Sequence, residues 1–166
     1  GAFVDELRSL PFVKDIGSIS SVPGVGGMRV SVKKKDCEER TMVNMLIGDS
    51  VAYRLLGIEL VEQFKEPEKT GMGGSFYMTQ TTFAAMTGLP YGVYNFDTLQ
   101  AWKAQNFSFD NCGIVRDFNM LDALHATDED LTFVWAGGAM DKHDPLLLEI
   151  TGDHKEAKRA IDALLT

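Results

Sequence analysis

Phe109-Asp110-Asn111-Cys112-Gly113-Ile114-Val115-Arg116-Asp117-Phe118 begins as a short apolar run and turns abruptly to charge at Arg116-Asp117. A buried strand reads this way where it surfaces into solvent. Similar short runs lie on both sides of it. Phe107 to Phe118, which contains it, is a strand candidate, as are Met42 to Ile47, Ser75 to Met78, Leu131 to Trp135 and Leu146 to Ile150. Ile16 to Val22 places Ile16, Ser18, Ser20 and Val22 on one face, and Met28 to Val32 alternates apolar with polar.

Between these runs lie helix signals. Phe3, Val4, Leu7 and Leu10 are at helical spacing before Pro11, which ends the segment. Asp49 or Ser50 caps a short helix carrying Val51, Leu55 and Leu56, and Gly57 supplies its left-handed stop. Thr79 to Thr82 offers capping hydroxyls for a helix with Phe83, Ala84 and Met86, closed by Gly88 and Leu89-Pro90. Near the chain end, Asp153 and Glu156 form a capping-box pair ahead of an apolar stripe at Ala157, Ala160, Ile161, Leu164 and Leu165. Gln63 to Gly74 reads as an exposed loop. Pro23-Gly24 is a turn signal, and Lys33-Lys34-Lys35 with Asp36 to Arg40 reads as a solvated hairpin end. The fold class that follows is α+β, with mixed sheets built from strand–helix units and three or four helices.

Composition narrows the function. The 166 residues suit one domain, or one domain with an inserted lobe. Hydrophobic residues at 45% and charged residues at 24% are ordinary for a chain that buries a core. A net charge of -8 repels phosphate backbones and anionic bilayer surfaces, so nucleic acid is not an expected partner. No apolar run reaches the length of about 18 residues that a membrane span needs. The chain opens on Gly1 rather than Met and shows no signal peptide, so it is expected to be an excerpt whose targeting elements lie elsewhere.

Chemistry-bearing motifs are weak. Gly24-Val25-Gly26-Gly27 leads into a strand, whereas a dinucleotide-binding loop must open a helix, so a hairpin turn is the better reading. His125, His143 and His154 are singletons, and Asp141, Asp144 and Asp153 beside them do not give converging metal ligands. No Gly-x-Ser-x-Gly elbow is present, and neither cysteine lies in a nucleophile pattern. Asp128-Glu129-Asp130 reads as a solvated turn. The methionines, among them Met42, Met45, Met86 and Met120, are scattered as core fillers would be. Cys37 and Cys112 form either one bridge or, the favoured reading, a loop thiol and a buried small hydrophobe. Tyr91, Tyr94, Phe96, Trp102 and Phe107 crowd one connection, which is either a partner-binding loop or the apolar underside of that connection. The expectation is no enzyme, with no catalytic, cofactor-binding or metal residues and no cofactor.

Several segments, in order, resemble the extracytoplasmic core domain of FtsX/MacB-type ABC-transporter permeases. Cys112 to Phe118 resembles that family's strand "I-x-G-V-V-K-D-F", with Ala123-Leu124 downstream matching its "S-L" pair. Leu10-Pro11-Phe12-Val13 is similar to its opening "L-P-x-V", with Ile16 to Ser20 as the strand behind it. Tyr53, Leu56, Gly57, Ile58 and Leu60, following Asp49, are similar to its "Y-x-x-x-G-I-x-L" segment. Glu62-Gln63-Phe64 keeps the following Phe but lacks the Gly-Arg. Ala84-Ala85, Gly88, Pro90 and Gly92 agree with the next segment, while Gln80-Thr81 departs from its usual Asn-Glu. Glu149 to Leu165 resembles the closing strand and helix.

The resemblance implies a single extracytoplasmic domain over residues 1–166 with two lobes. A membrane-proximal lobe comes from both chain ends, and a β-rich distal lobe is inserted at roughly 60–125. The domain would lie on the periplasmic face of the bacterial cytoplasmic membrane, between two transmembrane helices, with its chain ends close together. It would transmit ATP-driven motion and perform no chemistry. Its implied partners are the membrane helices of the same permease, a cytoplasmic ATPase, and a periplasmic protein or cargo. Arg116 and Asp117, tempting as a catalytic pair, become a structural hinge between strand and turn. The alternative class is an extracytoplasmic ligand-sensing domain of a membrane receptor. A small βαβ enzyme using Asp117 or His125 has no motif behind it.

Overall fold

Capping side chains set the helix boundaries in this protein. In the computed structural model, which describes residues 2–21, 28–64, 72–106, 109–118, 131–136 and 146–164, Asp49 accepts from Ala52 N at 2.8 Å and starts α2 (Ser50–Leu55). Gly57, at φ 72°, follows it in the left-handed conformation that only glycine adopts freely. Thr79 starts α3 (Gln80–Thr87) in the same manner, and Gly88 closes it at φ 76°. At the chain ends, α1 spans Ala2–Ser9 and α5 spans His154–Leu164, where Asp153 accepts from Lys155 N. His154 is exposed in the first turn of α5.

One helix was not expected. α4 (Phe96–Gln105) occupies the aromatic connection, capped by Asn95, which accepts from Thr98 N at 3.0 Å. It brings the described helices to five rather than three or four.

The strands are β1 (Val13–Ser21), β2 (Met28–Lys33), β3 (Arg40–Gly48), β4 (Leu60–Phe64), β5 (Met72–Thr79), β6 (Phe109–Val115), β7 (Thr132–Ala136) and β8 (Leu146–Ile150). They form one mixed sheet in the order β4-β6-β5-β7-β3-β1-β8, with β2 paired to β3 beside β1. β5–β6 and β3–β7 are parallel and the other pairs antiparallel. α3 and α4 make the long crossover that a parallel β5–β6 pair requires. The fold class read from the sequence holds, as a mixed α+β architecture.

Two readings are corrected. Gln63 to Gly74 is not wholly loop: Gln63 and Phe64 end the edge strand β4, and Met72 to Gly74 begin β5. Glu62 and Gln63 are exposed on that edge, which hid its strand character. The second concerns the flanks of Pro23-Gly24 and Gly24 to Gly27, residues that lie outside the described ones. β1 and β2 do not pair as a hairpin. Both run antiparallel to β3, β1 at its end (Ile19 opposite Gly48) and β2 along its first part (Met28 opposite Met45, Lys33 opposite Arg40). They form a single interrupted line of strand, and the true hairpin is β2–β3 across Lys34 to Glu39.

The sheet is covered on both faces, which explains the non-alternating apolar runs. On one face Phe83, Met86, Leu99 and Trp102 of α3 and α4 pack on Val43, Met45, Phe76, Met78, Cys112, Ile114 and Phe133. On the other, Ala52 and Tyr53 of α2 pack with Ile19, Leu46, Val115 and Val134. Neighbours along β3, β5, β6 and β7 therefore serve opposite cores. Trp102 is fully buried, its ring edge-on to Phe133 with centroids 5.7 Å apart, and its indole N–H donates to Lys33 O at 2.9 Å. Cys112 is buried and Cys37 half-buried, and no disulfide joins them.

Candidate functional site

The chain ends meet at one end of the sheet. β1 and β8 pair antiparallel with Val13 opposite Ile150, Thr151 N donates to Phe12 O at 2.8 Å, and α1 touches α5. β1 joins this terminal unit to the central sheet directly by pairing with β3, Ile19 opposite Gly48, and three further devices tie it to α2 and the turn before it.

The first is backbone contact. Gly17 of β1 lies so close to α2 that a Cβ placed there would fall 2.5 Å from Ala52 N and 2.6 Å from Ala52 Cα. The second is Asp49, whose one carboxylate serves two elements. Oδ1 caps α2 at Ala52 N, and Oδ2 accepts from Ser18 N of β1 at 3.1 Å. Ser18 O in turn accepts from Asp49 N, so the two segments are bridged in both directions. The third is ionic. Arg54 donates to Asp15 Oδ2 of β1 at 2.5 Å and to Glu149 Oε2 of β8 at 3.1 Å, and Lys14 lies 3.6 Å from Glu149. Its carboxylate partners, Glu149 first and Asp15 next, raise the Arg54 pKa and hold its charge.

From α2 the connection continues into the sheet through Tyr53. Its hydroxyl faces the carbonyls of Leu46 on β3 and Trp135 on β7, so its proton is shared between two central strands. Burial pushes this phenol well above the ordinary tyrosine value, so it stays protonated across the physiological range. Beside it an open cavity of about 320 Å³ is lined by Tyr53, Arg54, Ile58, Leu60, Tyr77 and Val115, among others.

The hinge expected at Arg116-Asp117 lies at the opposite end of the sheet. Arg116 pairs with Glu59 at 2.9 Å, and its backbone N–H donates to Glu59 O. Asp117 accepts from Thr81 N at 2.8 Å and from Thr81 Oγ1 at 2.6 Å, which satisfies a free N–H in the first turn of α3. The Tyr91 hydroxyl lies 3.0 Å from Gln80 Oε1 and 3.1 Å from Asp117 Oδ2. Both residues are thus engaged in chain direction and capping.

The aromatic connection divides. Tyr94 and Phe96 pack on the larger core beneath Trp102, while Tyr91 is 60% exposed. Most of it is an apolar underside. His125, His143, Asp128-Glu129-Asp130, Met120, Ala123-Leu124, Phe107, Asp141 and Asp144 lie outside the described residues. Among the described residues, no group of three His, Cys, Asp or Glu could hold a metal ion, and no helix is long and apolar enough to cross a membrane.

The terminal junction escaped the sequence reading. Asp15 and Glu149 stand 39 and 95 positions from Arg54, and no local pattern links them. Asp49 was read as a cap, but its second bond to Ser18 left no signal.

No family model matches the chain, and no curated protein sequence matches it significantly. Solved structures do. The periplasmic region of MacB from Actinobacillus actinomycetemcomitans superposes with a TM-score of 0.52 at 10% identity, over 99% of this chain and 71% of that one. The extracellular domain of the noncanonic ABC-type transporter YknZ from Gram-positive bacteria matches at 0.41 and 10% identity, over 95% and 75% of the two chains. The chain therefore has the fold of the MacB periplasmic region, as the sequence resemblance implied.

Proposed function

We propose that this chain, with its MacB-like fold, is the extracytoplasmic domain of an ABC-transporter permease and transmits ATP-driven motion to periplasmic partners or cargo. It performs no chemistry of its own. The observation that carries this reading is the terminal junction: β1 and β8, the first and last strands, lie side by side at one edge of the sheet, joined to it by the β1–β3 pairing and by contacts with α2. A displacement entering there reaches β1 and β8 together. Arg54, Asp49 and the Gly17–Ala52 contact pass it to α2, and Tyr53 passes it to β3 and β7. The two lobes implied by the sequence resemblance fit this route. The terminal elements receive the motion, and the inserted 60–125 segment carries it outward. Membrane helices of the same permease and a cytoplasmic ATPase are the partners that would drive it, from the periplasmic face of the bacterial cytoplasmic membrane.

The test is the full gene. It should encode a hydrophobic segment on each side of this domain, four transmembrane helices in all, with an ATPase gene adjacent. A reading frame without flanking hydrophobic segments refutes the proposal. The cavity beside Tyr53 and Arg54 favours the ligand-sensing alternative as a second reading. In that case a periplasmic small molecule would raise the melting temperature of the isolated chain by selective binding to the folded state.

A further inference from the structure

The cavity beside α2 is lined in a way that selects one class of ligand. At about 320 Å³ it stands at the small end of ligand pockets, which run from about 300 to 1,000 Å³. Val115 and Val134, both buried in the sheet, line it with apolar surface, and Ile58 and the exposed Leu60 do the same beyond α2. Two tyrosine rings join them. The ring of Tyr77 lies against β6 because its partner in that ladder is a glycine: a Cβ on Gly113 would fall 2.9 Å from two of the ring carbons. Aromatic walls of this kind favour an aromatic ligand, through offset or edge-on ring contacts.

The polar groups around the cavity are mostly committed to one another. The Tyr53 hydroxyl faces the carbonyls of Leu46 and Trp135, so this residue offers the cavity its ring. Arg54 is held by Asp15 and Glu149, and Lys14 also pairs with Glu149, so two cations meet two carboxylates. Glu59, between the lining residues Ile58 and Leu60, pairs with Arg116. Asp49, next to the lining residue Ser50, accepts from Ser18 N and Ala52 N. A charged ligand would therefore leave water without a counterion among these groups, which is costly. The Tyr77 hydroxyl, by contrast, makes no hydrogen bond with another of the described residues, and Ser50 brings a second hydroxyl to the lining.

We propose that this cavity binds a neutral aromatic molecule, with Val115, Val134 and Leu60 against its rings and the Tyr77 hydroxyl bonded to its one polar group. The use of that binding in sensing rests on the ligand-sensing reading; the binding itself does not. A full gene with no cytoplasmic signalling module would refute sensing and leave occupancy of the cavity untouched. The test is a ligand-observed NMR titration of the purified chain with naphthamide, naphthoate and naphthylmethylammonium, which share a ring system and differ in charge. Naphthamide should bind at least about tenfold more tightly than either ion. Tyr77→Phe should weaken it about fivefold. Ala136→Leu, which puts a larger side chain on the lining, should abolish it, and Lys155→Glu on the exposed side of α5 should leave it unchanged. Circular dichroism and urea midpoints establish that each variant folds. Absence of naphthamide binding overturns the proposal, as does undiminished binding in either lining variant. Tighter binding of naphthoate overturns it in favour of an anion held by Arg54. Tighter binding of naphthylmethylammonium overturns it in favour of a cation held on the tyrosine faces. In both of those cases the ligand-sensing reading survives.

Discussion

Gly17→Ala is the sharpest probe of the terminal junction. Gly17 is not among the positive-φ glycines, so alanine meets no backbone strain there and steric contact alone is at issue. The added Cβ would lie 2.5 and 2.6 Å from backbone atoms of Ala52 and 3.0 Å from its Cβ. Ordinary carbon contacts sit at about 3.5–4 Å, so α2 must draw back by about 1 Å. That retreat loosens Ala52 and Tyr53, both buried in the second core, and stretches the Asp49 bridge to Ser18. Overpacking costs about 1–3 kcal/mol, and a clash with helix backbone belongs at the top of that range. For a chain of this size, about 3 kcal/mol lowers the melting temperature by about 6–12 °C. Calorimetry and urea denaturation read the effect directly. The companion variant Gly17→Ala/Ala52→Gly removes the 3.0 Å contact but leaves the two backbone contacts, so it should recover little. A single variant within about 2 °C of the parent would refute the close packing of β1 on α2, and full recovery in the double variant would place the clash at the side chain.

Other consequences follow from the same geometry. Asp49→Ala removes a helix cap and strands the buried Ser18 N–H, at a total cost of about 2–4 kcal/mol by urea denaturation. Asp49→Asn, whose amide can accept only one of the two bonds, should fall between it and the parent. Trp102→Ala empties the centre of the larger core and removes one of the bonds to Lys33 O, leaving that from Asn106 Nδ2, with an expected loss of about 3–5 kcal/mol. Tyr53 makes stability depend on pH at the alkaline end. Its folded pKa is raised by burial, so the stabilisation is complete below the unfolded value of about 10. Above that, the unfolded phenol ionises while the folded one does not, and stability falls as pH rises. Tyr53→Phe should cost about 1 kcal/mol at neutral pH and flatten that alkaline decline; an unchanged alkaline slope would remove Tyr53 as its source.

The legible parts of the fold were those whose determinants are close in sequence. Asp49 with Gly57, and Thr79 with Gly88, each bracket a helix within a few residues. α4 was also legible in principle: Asn95 caps it, and Phe96, Leu99 and Trp102 recur every third residue. The density of aromatic residues around it suggested an irregular connection instead, either a partner-binding loop or an apolar underside. β4 was missed because an edge strand with exposed Glu62 and Gln63 looks like loop. The in-line arrangement of β1 and β2 is set by their common partner β3, and a turn signal between two strands says nothing of such a partner. The Arg54 network is hidden for the same reason, since its members meet only after β1 and β8 have paired.

The antiparallel pairing of β1 with β8 also fixes how the fold answers mechanical load. The N-terminal end of β1 and the C-terminal end of β8 lie at the same end of their shared ladder. A force that spreads the two chain ends apart acts across that ladder and unzips its hydrogen bonds one after another, beginning at Val13 and Ile150. A force that draws both ends the same way moves β1 and β8 as a unit, so it leaves their ladder unloaded and falls on the β1–β3 pairing at Ile19 and Ser21 and on the contacts with α2. Strand polarity therefore separates two loads: spreading the ends is met by the β1–β8 ladder bond by bond, and joint translation is met by the β1–β3 and α2 contacts instead.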